Sequence, residues 1–383
     1  MVLCTFLVFT IYVLLSTLLV DVSSSFKVSI GTASQLVMIG TLTGLIMGLA
    51  LSAFSIKFKH KSLFLFGIAT YAVGALGYFL APNFVTAVFS EVLAGVGSSM
   101  ITIMVYTLIG EQLPLERRGW TVGLVMSGVM AAFVVVAVVS GAIASIAGWR
   151  MVFLWFVFPL SLVCLVLASV IVPSNQPQPQ SAGNPSIVQA LKKIFLSKSP
   201  IACMVSSTLT ACLAVVPLFA VSFYRVTYSV SAVIGGLFSS IVAVGGVFGA
   251  ALGGRLVNKI GRKTLAVTTV FVSGVSCILF TFIPNMITSV IVWTIGATTV
   301  AMTWASLPSL NLEQVPEYRA SMMSIASSFD NAGTVIGVII GGLVLNLYAN
   351  NFHLLMVILG ALGASAAAVL LFFAKDPCKT FST

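Results

Sequence analysis

The sequence predicts an all-α membrane protein of twelve transmembrane helices, arranged as two pseudo-symmetric six-helix bundles. Three observations carry this: scarce charge, a dozen apolar runs of membrane-crossing length, and loop motifs that recur at one fixed offset. Charged residues make up 7% of the 383 positions and hydrophobic residues 59%, with a mean hydropathy of +1.16. A soluble domain carries about 25% charged residues. A water-facing surface cannot be assembled from so few, so lipid is the solvent for most of the chain. The 32 glycines agree, because small residues let membrane helices approach closely.

Crossing a hydrocarbon core of about 30 Å takes about 20 apolar residues. Breaks at charge clusters and at Pro, Asn and Gly turns place spans at 1–20, 31–56, 62–81, 84–110, 120–147 and 150–172. A second set follows at 201–224, 231–254, 264–283, 286–312, 320–348 and 352–374. The opening run Met1–Val20 has no basic leader region or small-residue cleavage site, so it reads as the first span. The first bundle is thus expected over 1–172 and the second, with a short tail, over 201–383. Between them lies 173–200, where PSNQPQPQSAGNPS has a linker's composition and IVQALKKIF (Ile187–Phe195) reads as a short amphipathic stretch on the membrane surface.

Lys and Arg counts set the orientation. With the N-terminus inside, the inner side holds Lys57, Lys59, Lys61, Arg117, Arg118, Lys192, Lys193, Lys198, Arg255, Lys259, Arg262, Lys263, Arg319, Lys375 and Lys379. Only Lys27, Arg150 and Arg225 fall outside. Both termini are therefore expected in the cytoplasm, with the chain multi-pass in the cell membrane. The net charge of +10 becomes a topology signal, so nucleic acid is not an expected partner. The six cysteines show no paired spacing, and five lie in apolar runs as packing residues.

The two sets repeat one another. GEQLP (Gly110–Pro114) closes the fourth span and LEQVP (Leu312–Pro316) the tenth, with the shared Glu, Gln and Pro 202 residues apart. The basic loops IKFKHK (Ile56–Lys61) and NKIGRK (Asn258–Lys263) keep the same offset. An internal duplication of six helices accounts for this.

At these residues the chain resembles the major facilitator superfamily over essentially its whole length. The family's loop between its second and third helices reads G-x3-D-[RK]-x-G-x-[RK]-[RK]. GRLVNKIGRK (Gly254–Lys263) is similar to it, with Asn258 in place of Asp; SAFSIKFKHK (Ser52–Lys61) departs further, with Ile56 for the Asp and Lys59 for the Gly. PLERRG (Pro114–Gly119) and GWRMVF (Gly148–Phe153) resemble its drug- and sugar-efflux branch. Two positions depart from that branch: Glu91 precedes Gly95 where an Arg is usual, and the fifth helix reads AVVSG (Ala137–Gly141). GVIIGG (Gly337–Gly342) in the eleventh helix keeps something like the fifth-helix glycine pattern.

Charged groups at membrane depth are costly and usually functional. Of eight acids, only Glu91 and Asp330 fall deep in a span. Glu91 lies about seven residues into the fourth helix, roughly 10 Å at 1.5 Å per residue, and Asp330 near the middle of the eleventh. Both are proton-coupling candidates. The alternatives are a rim carboxylate paired with Arg150 or Arg225, and a structural hydrogen-bonding group between helices. By family analogy the substrate-cavity candidates are Tyr12, Ser98, Thr102, Tyr106, Trp293, Thr298, Trp304 and Asn331, with interhelical packing as the alternative; Ser16, Ser99, Thr299 and Thr303 belong to the same polar clusters. Tyr and Trp offer flat contacts and the hydroxyls offer hydrogen bonds. The family's cytoplasmic gate would fall at Lys57, Lys61, Glu111, Arg118, Arg255, Asn258, Arg262, Lys263, Glu313 and Arg319, which equally suit positive-inside anchors.

No metal-ligand spacing, nucleophile triad or phosphate loop occurs, so neither a cofactor nor an enzyme activity is expected. The resemblance implies a monomeric secondary transporter that moves a small neutral or cationic, amphipathic solute by alternating access, with proton-coupled efflux as the leading mode. Its partners would be that small molecule, protons and the lipid bilayer. Uptake of a neutral nutrient such as a sugar, uncoupled or by symport, is the first alternative. A non-transporting membrane sensor or scaffold is the second.

Overall fold

The computed structural model describes residues 1–54, 59–112, 115–172, 194–315 and 319–376. Twelve helices among them are long and apolar enough to cross a membrane. They are α1 (Val2–Phe26), α2 (Ile30–Phe54), α3 (His60–Leu80), α4 (Phe84–Gln112), α5 (Leu115–Ala147) and α6 (Trp149–Ile171). After the linker come α7 (Lys198–Thr227), α8 (Ala232–Ile260), α9 (Arg262–Phe282), α10 (Met286–Gln314), α11 (Arg319–Leu347) and α12 (Phe352–Phe373). Each coincides with an expected span to within a few residues. Phe66, Phe89, Ile146 and Phe372 illustrate the outward face: large apolar side chains left exposed, as lipid contact permits.

Helix ends reveal the duplication more sharply than the motifs do. α9 and α10 begin and end 202 residues after α3 and α4. Their starts share one device. The Asn83 side chain accepts from the Thr86 N–H (3.0 Å), and Asn285 accepts from Ile287 and Thr288 (3.0 and 3.2 Å), each meeting amide donors that an isolated helix start leaves unpaired. Two helix ends are also treated alike. Lys61 donates to the Ser169 carbonyl at the end of α6 (2.7 Å), and Lys263 to the Leu371 carbonyl at the end of α12 (2.8 Å). A cation on the final carbonyls satisfies orphan acceptors and the negative end of the helix dipole. The repeated basic loops thus close two helices, whatever else they do.

The chain forms two compact units. One holds α1–α6 with Ala220–Ser240; the other holds the remainder of α7 and α8 with α9–α12. The sequence placed all of 201–383 in one bundle, whereas contacts seat 220–240 with the first unit. Ser240 donates to the Val134 carbonyl on α5 (2.6 Å), and the Arg225 guanidinium holds both carboxylate oxygens of Asp21 (2.5 and 2.8 Å). The linker residues 173–193 and Lys57 lie outside the described residues, as do the side chains of Glu111, Arg118, Asn258 and Arg319.

In the second unit α7 is interrupted at Ala214–Val215, beside Pro217. Proline has no N–H to bond the carbonyl four residues earlier, so the helix turns loosely there. Pro308 lies inside α10 and likewise has no N–H for the Trp304 carbonyl. Ala214 and Pro308 both border the cavity described next.

Candidate functional site: two carboxylates in two units

In the first unit the deep acid is Glu91 on α4, 6% exposed. The Tyr78 hydroxyl of α3 donates to Glu91 Oε2 at 2.7 Å. Tyr78 is itself fully buried and stacks on Phe153 of α6 with ring centroids 4.5 Å apart. On the other side stands Gly40 of α2, where an added Cβ would collide with Glu91 Oε1. Three helices therefore shape a slot for one carboxyl group: α4 supplies it, α3 donates to it, and α2 withholds a side chain. Glu91 thus faces α2 and α3.

Neither cation suggested as its rim partner is there. Arg225 is taken by Asp21 and the Thr17 carbonyl. Arg150 donates to Ser25 (2.8 Å) and to the Ala81 carbonyl (3.1 Å), and lies over the rings of Trp149 and Phe26. No described ion pair involves Glu91.

The second unit places Asp330 of α11 on a cavity of about 220 Å³. Ser207 and Thr210 of α7, Thr303 and Trp304 of α10 and Thr334 of α11 supply its polar and aromatic lining, with Ala211, Ala214, Leu307 and Pro308 as apolar wall. Ser207 lines the same cavity as Asp330 and receives a long bond from the Asn311 amide (3.4 Å). Two polar atoms nearby are unsatisfied. Thr210 Oγ1 and Asn311 Oδ1 are buried, each residue only 2% exposed, with no hydrogen-bond partner. Buried polar groups are nearly always paired, so the unpaired hydroxyl of Thr210, a residue of the cavity wall, is an exception that calls for a partner.

The remaining candidates divide by environment. Trp304, nearly half exposed, lines the Asp330 cavity. Trp293, expected at a solute cavity, is instead 3% exposed and stacks on Phe280 between α9 and α10; its position in the helix contact overrides its chemistry. Thr298 donates to the Thr294 carbonyl (2.8 Å) and packs on Gly249 of α8. Ser98 and Thr102 spend their hydroxyls on their own helix, at Gly95 and Ser98 (3.0 and 2.8 Å). Tyr12 packs on Phe133, and Tyr106 and Asn331 are half-buried. At the ends of the second unit's helices Arg262 pairs with Glu313 (3.5 Å), the Lys263 backbone N–H donates to the Asp376 carboxylate (3.3 Å), and Arg255 is exposed.

Sequence reasoning missed Tyr78, Gly40, Ser207, Thr210 and Asn311. A signal was available for the first two. The 202-residue offset takes Tyr78 to Phe280, Glu91 to Trp293 and Gly40 to Val242, so an aligned pair of halves shows where the copies disagree.

The model of the Major Facilitator Superfamily matches residues 1–310 and 227–382. The chain belongs to this superfamily. Among its relatives is the MFS-type transporter YbcL of Bacillus subtilis (strain 168), 20% identical over 397 residues, covering 97% of this chain and 94% of that protein. A multidrug resistance protein B homolog of Mycobacterium tuberculosis (strain H37Rv) is 25% identical over 150 residues, covering 38% of this chain and 28% of its own length. Among solved structures, a D-xylose-proton symporter superposes with a TM-score of 0.80 at 17% identity, covering 98% of this chain and 96% of that one. The superfamily's transporters share this helical fold, and the twelve apolar helices make this member a multi-pass membrane protein.

Proposed function

We propose that this superfamily member is a secondary active transporter, not an enzyme, and that it carries a small neutral or cationic, amphipathic solute by alternating access in exchange for protons. It works as an efflux antiporter in the cell membrane, as a monomer with both termini cytoplasmic. The observation that carries the coupling is the Glu91 slot: a buried carboxyl group whose described partner is a hydroxyl and not a cation. Such a group takes or gives a proton as its access to water changes. Asp330, open to a cavity, is the second coupling candidate and the solute contact. Efflux is favoured by the likeness to a multidrug resistance protein and by the charge of the cavity, which suits cations over anions.

The test is ethidium transport in proteoliposomes under an imposed pH gradient. Gradient-driven transport is expected in the native chain and at least tenfold less in the Glu91→Gln, Asp330→Asn double variant. Unchanged transport in that variant rules out this coupling.

A second reading, uptake of a neutral sugar, is favoured by the fold likeness to a D-xylose-proton symporter. Xylose counterflow without ethidium transport would select it.

A further inference from the structure

We propose that the cavity at Asp330 binds a small primary amine as its ammonium ion. The inference depends on the transport reading only for passage of that amine across the membrane, not for its binding.

Charge comes first. Among the described residues the cavity wall holds one carboxylate and no Lys, Arg or His; beside Asp330, α7, α10 and α11 line it with hydroxyls, an indole and apolar groups. Opposite charge is the cheapest way to keep an ionised acid in such a place.

Hydrogen-bond arithmetic narrows the ligand. The site leans toward acceptors: the Asp330 carboxylate only accepts, and the Thr334 hydroxyl, which already donates to the Asp330 backbone carbonyl, is left free to accept. An ammonium group offers three donors and no acceptor. A sugar hydroxyl brings an acceptor with every donor and leaves the imbalance in place.

Size and polarity exclude the extremes. At about 220 Å³ the cavity lies below the roughly 300–1,000 Å³ typical of drug-sized ligands. It is several times the roughly 30 Å³ share of one water, too large for a bare alkali ion alone. One side is apolar, and Trp304 offers an aromatic face for both a hydrocarbon body and its cation. A short aryl- or alkylamine meets all of these conditions.

Calorimetric titration of the full chain in lipid nanodiscs tests this, with 2-phenylethylamine against its neutral counterpart 2-phenylethanol, D-xylose and sodium chloride. The amine is expected to bind at least tenfold more tightly than the alcohol. That preference should vanish in Asp330→Asn and survive in Asp330→Glu, which keeps the charge and controls for folding. Trp304→Leu should weaken both ligands severalfold, the amine more than the alcohol because it also loses the contact of its cation with the ring. Equal binding of the alcohol, tighter binding of xylose, displacement of the amine by millimolar sodium, or an amine preference retained in Asp330→Asn each overturns the proposal. Amine binding without amine counterflow in proteoliposomes sustains the inference and sinks the transport reading. Proton-driven ethidium transport in a chain that does not bind the amine does the reverse.

Discussion

In the first unit the Tyr78 hydroxyl donates a hydrogen bond to Glu91; 202 residues later, on helices with the same bounds, Phe280 stacks on Trp293 with ring centroids 6.1 Å apart. One contact holds a buried acid and the other an aromatic pair. The difference extends to the facing helix, where the offset takes Gly40 to Val242. A carboxyl group needs room and a donor, and the first copy supplies both. The second copy supplies apolar volume and keeps its acid elsewhere, on α11. There the offset takes Asp330 back to Gly128, which packs on α1 at Val2 and Thr5. Duplication built the scaffold, and divergence placed a different acid in each half.

The severest way to break this comparison is to force the first unit's chemistry onto the second. Trp293→Glu removes a buried indole and buries an acid with no hydroxyl at position 280. We predict a loss of about 3–5 kcal/mol, the cost of large core truncations alone, read as failure to run monodisperse in size-exclusion chromatography or as a collapse of the melting temperature. A variant that melts like the native chain would mean the α9–α10 contact is not the tight packing described.

Tyr78→Phe comes next. It strips the donor from Glu91 and leaves ring stacking on Phe153 intact. A hydrogen bond to a charged group contributes about 1.5–3 kcal/mol. Both melting temperature and pH-gradient coupling should fall, whereas Phe280→Tyr should not gain coupling. Coupling unaffected by Tyr78→Phe would detach the slot from function.

Gly40→Val imports the second unit's residue opposite Glu91. Overpacking costs about 1–3 kcal/mol, and here the added atoms meet the carboxyl directly. The Gly40→Val, Glu91→Ala double variant should recover part of that loss. Additive losses in a double-mutant cycle would show that the two residues do not share the slot.

The smallest effect checks what the units have in common. Lys61→Ala and Lys263→Ala each remove a cation from a helix end, worth about 0.3–1 kcal/mol at low salt. Their losses should match within error and shrink as salt rises. A large loss confined to Lys263 would assign it a role beyond closing α12.

Much of the molecule was legible beforehand because its solvent is lipid. Apolar runs of fixed length mark spans whatever packs beside them, so α3 and α10 fell almost where expected. The seating of 220–240 with the first unit was not legible, since it arises from Asp21 and Arg225, 204 positions apart, and from the bond of Ser240 to Val134 of α5. Among candidate residues, chemistry pointed at Trp293 and Trp304 equally. Packing buried one against Phe280 and left the other on the Asp330 cavity.

By itself, then, the sequence determined the membrane as solvent, the number and position of the spans, the duplication, and which two acids lie at depth. These are matters of composition and period, which one helix can express alone. Tertiary structure decided what each acid meets: a tyrosine and a missing side chain for Glu91, an open cavity walled by hydroxyls, an indole and apolar groups for Asp330. Such partners sit on other helices, and only packing fixes which face of each helix turns toward which neighbour.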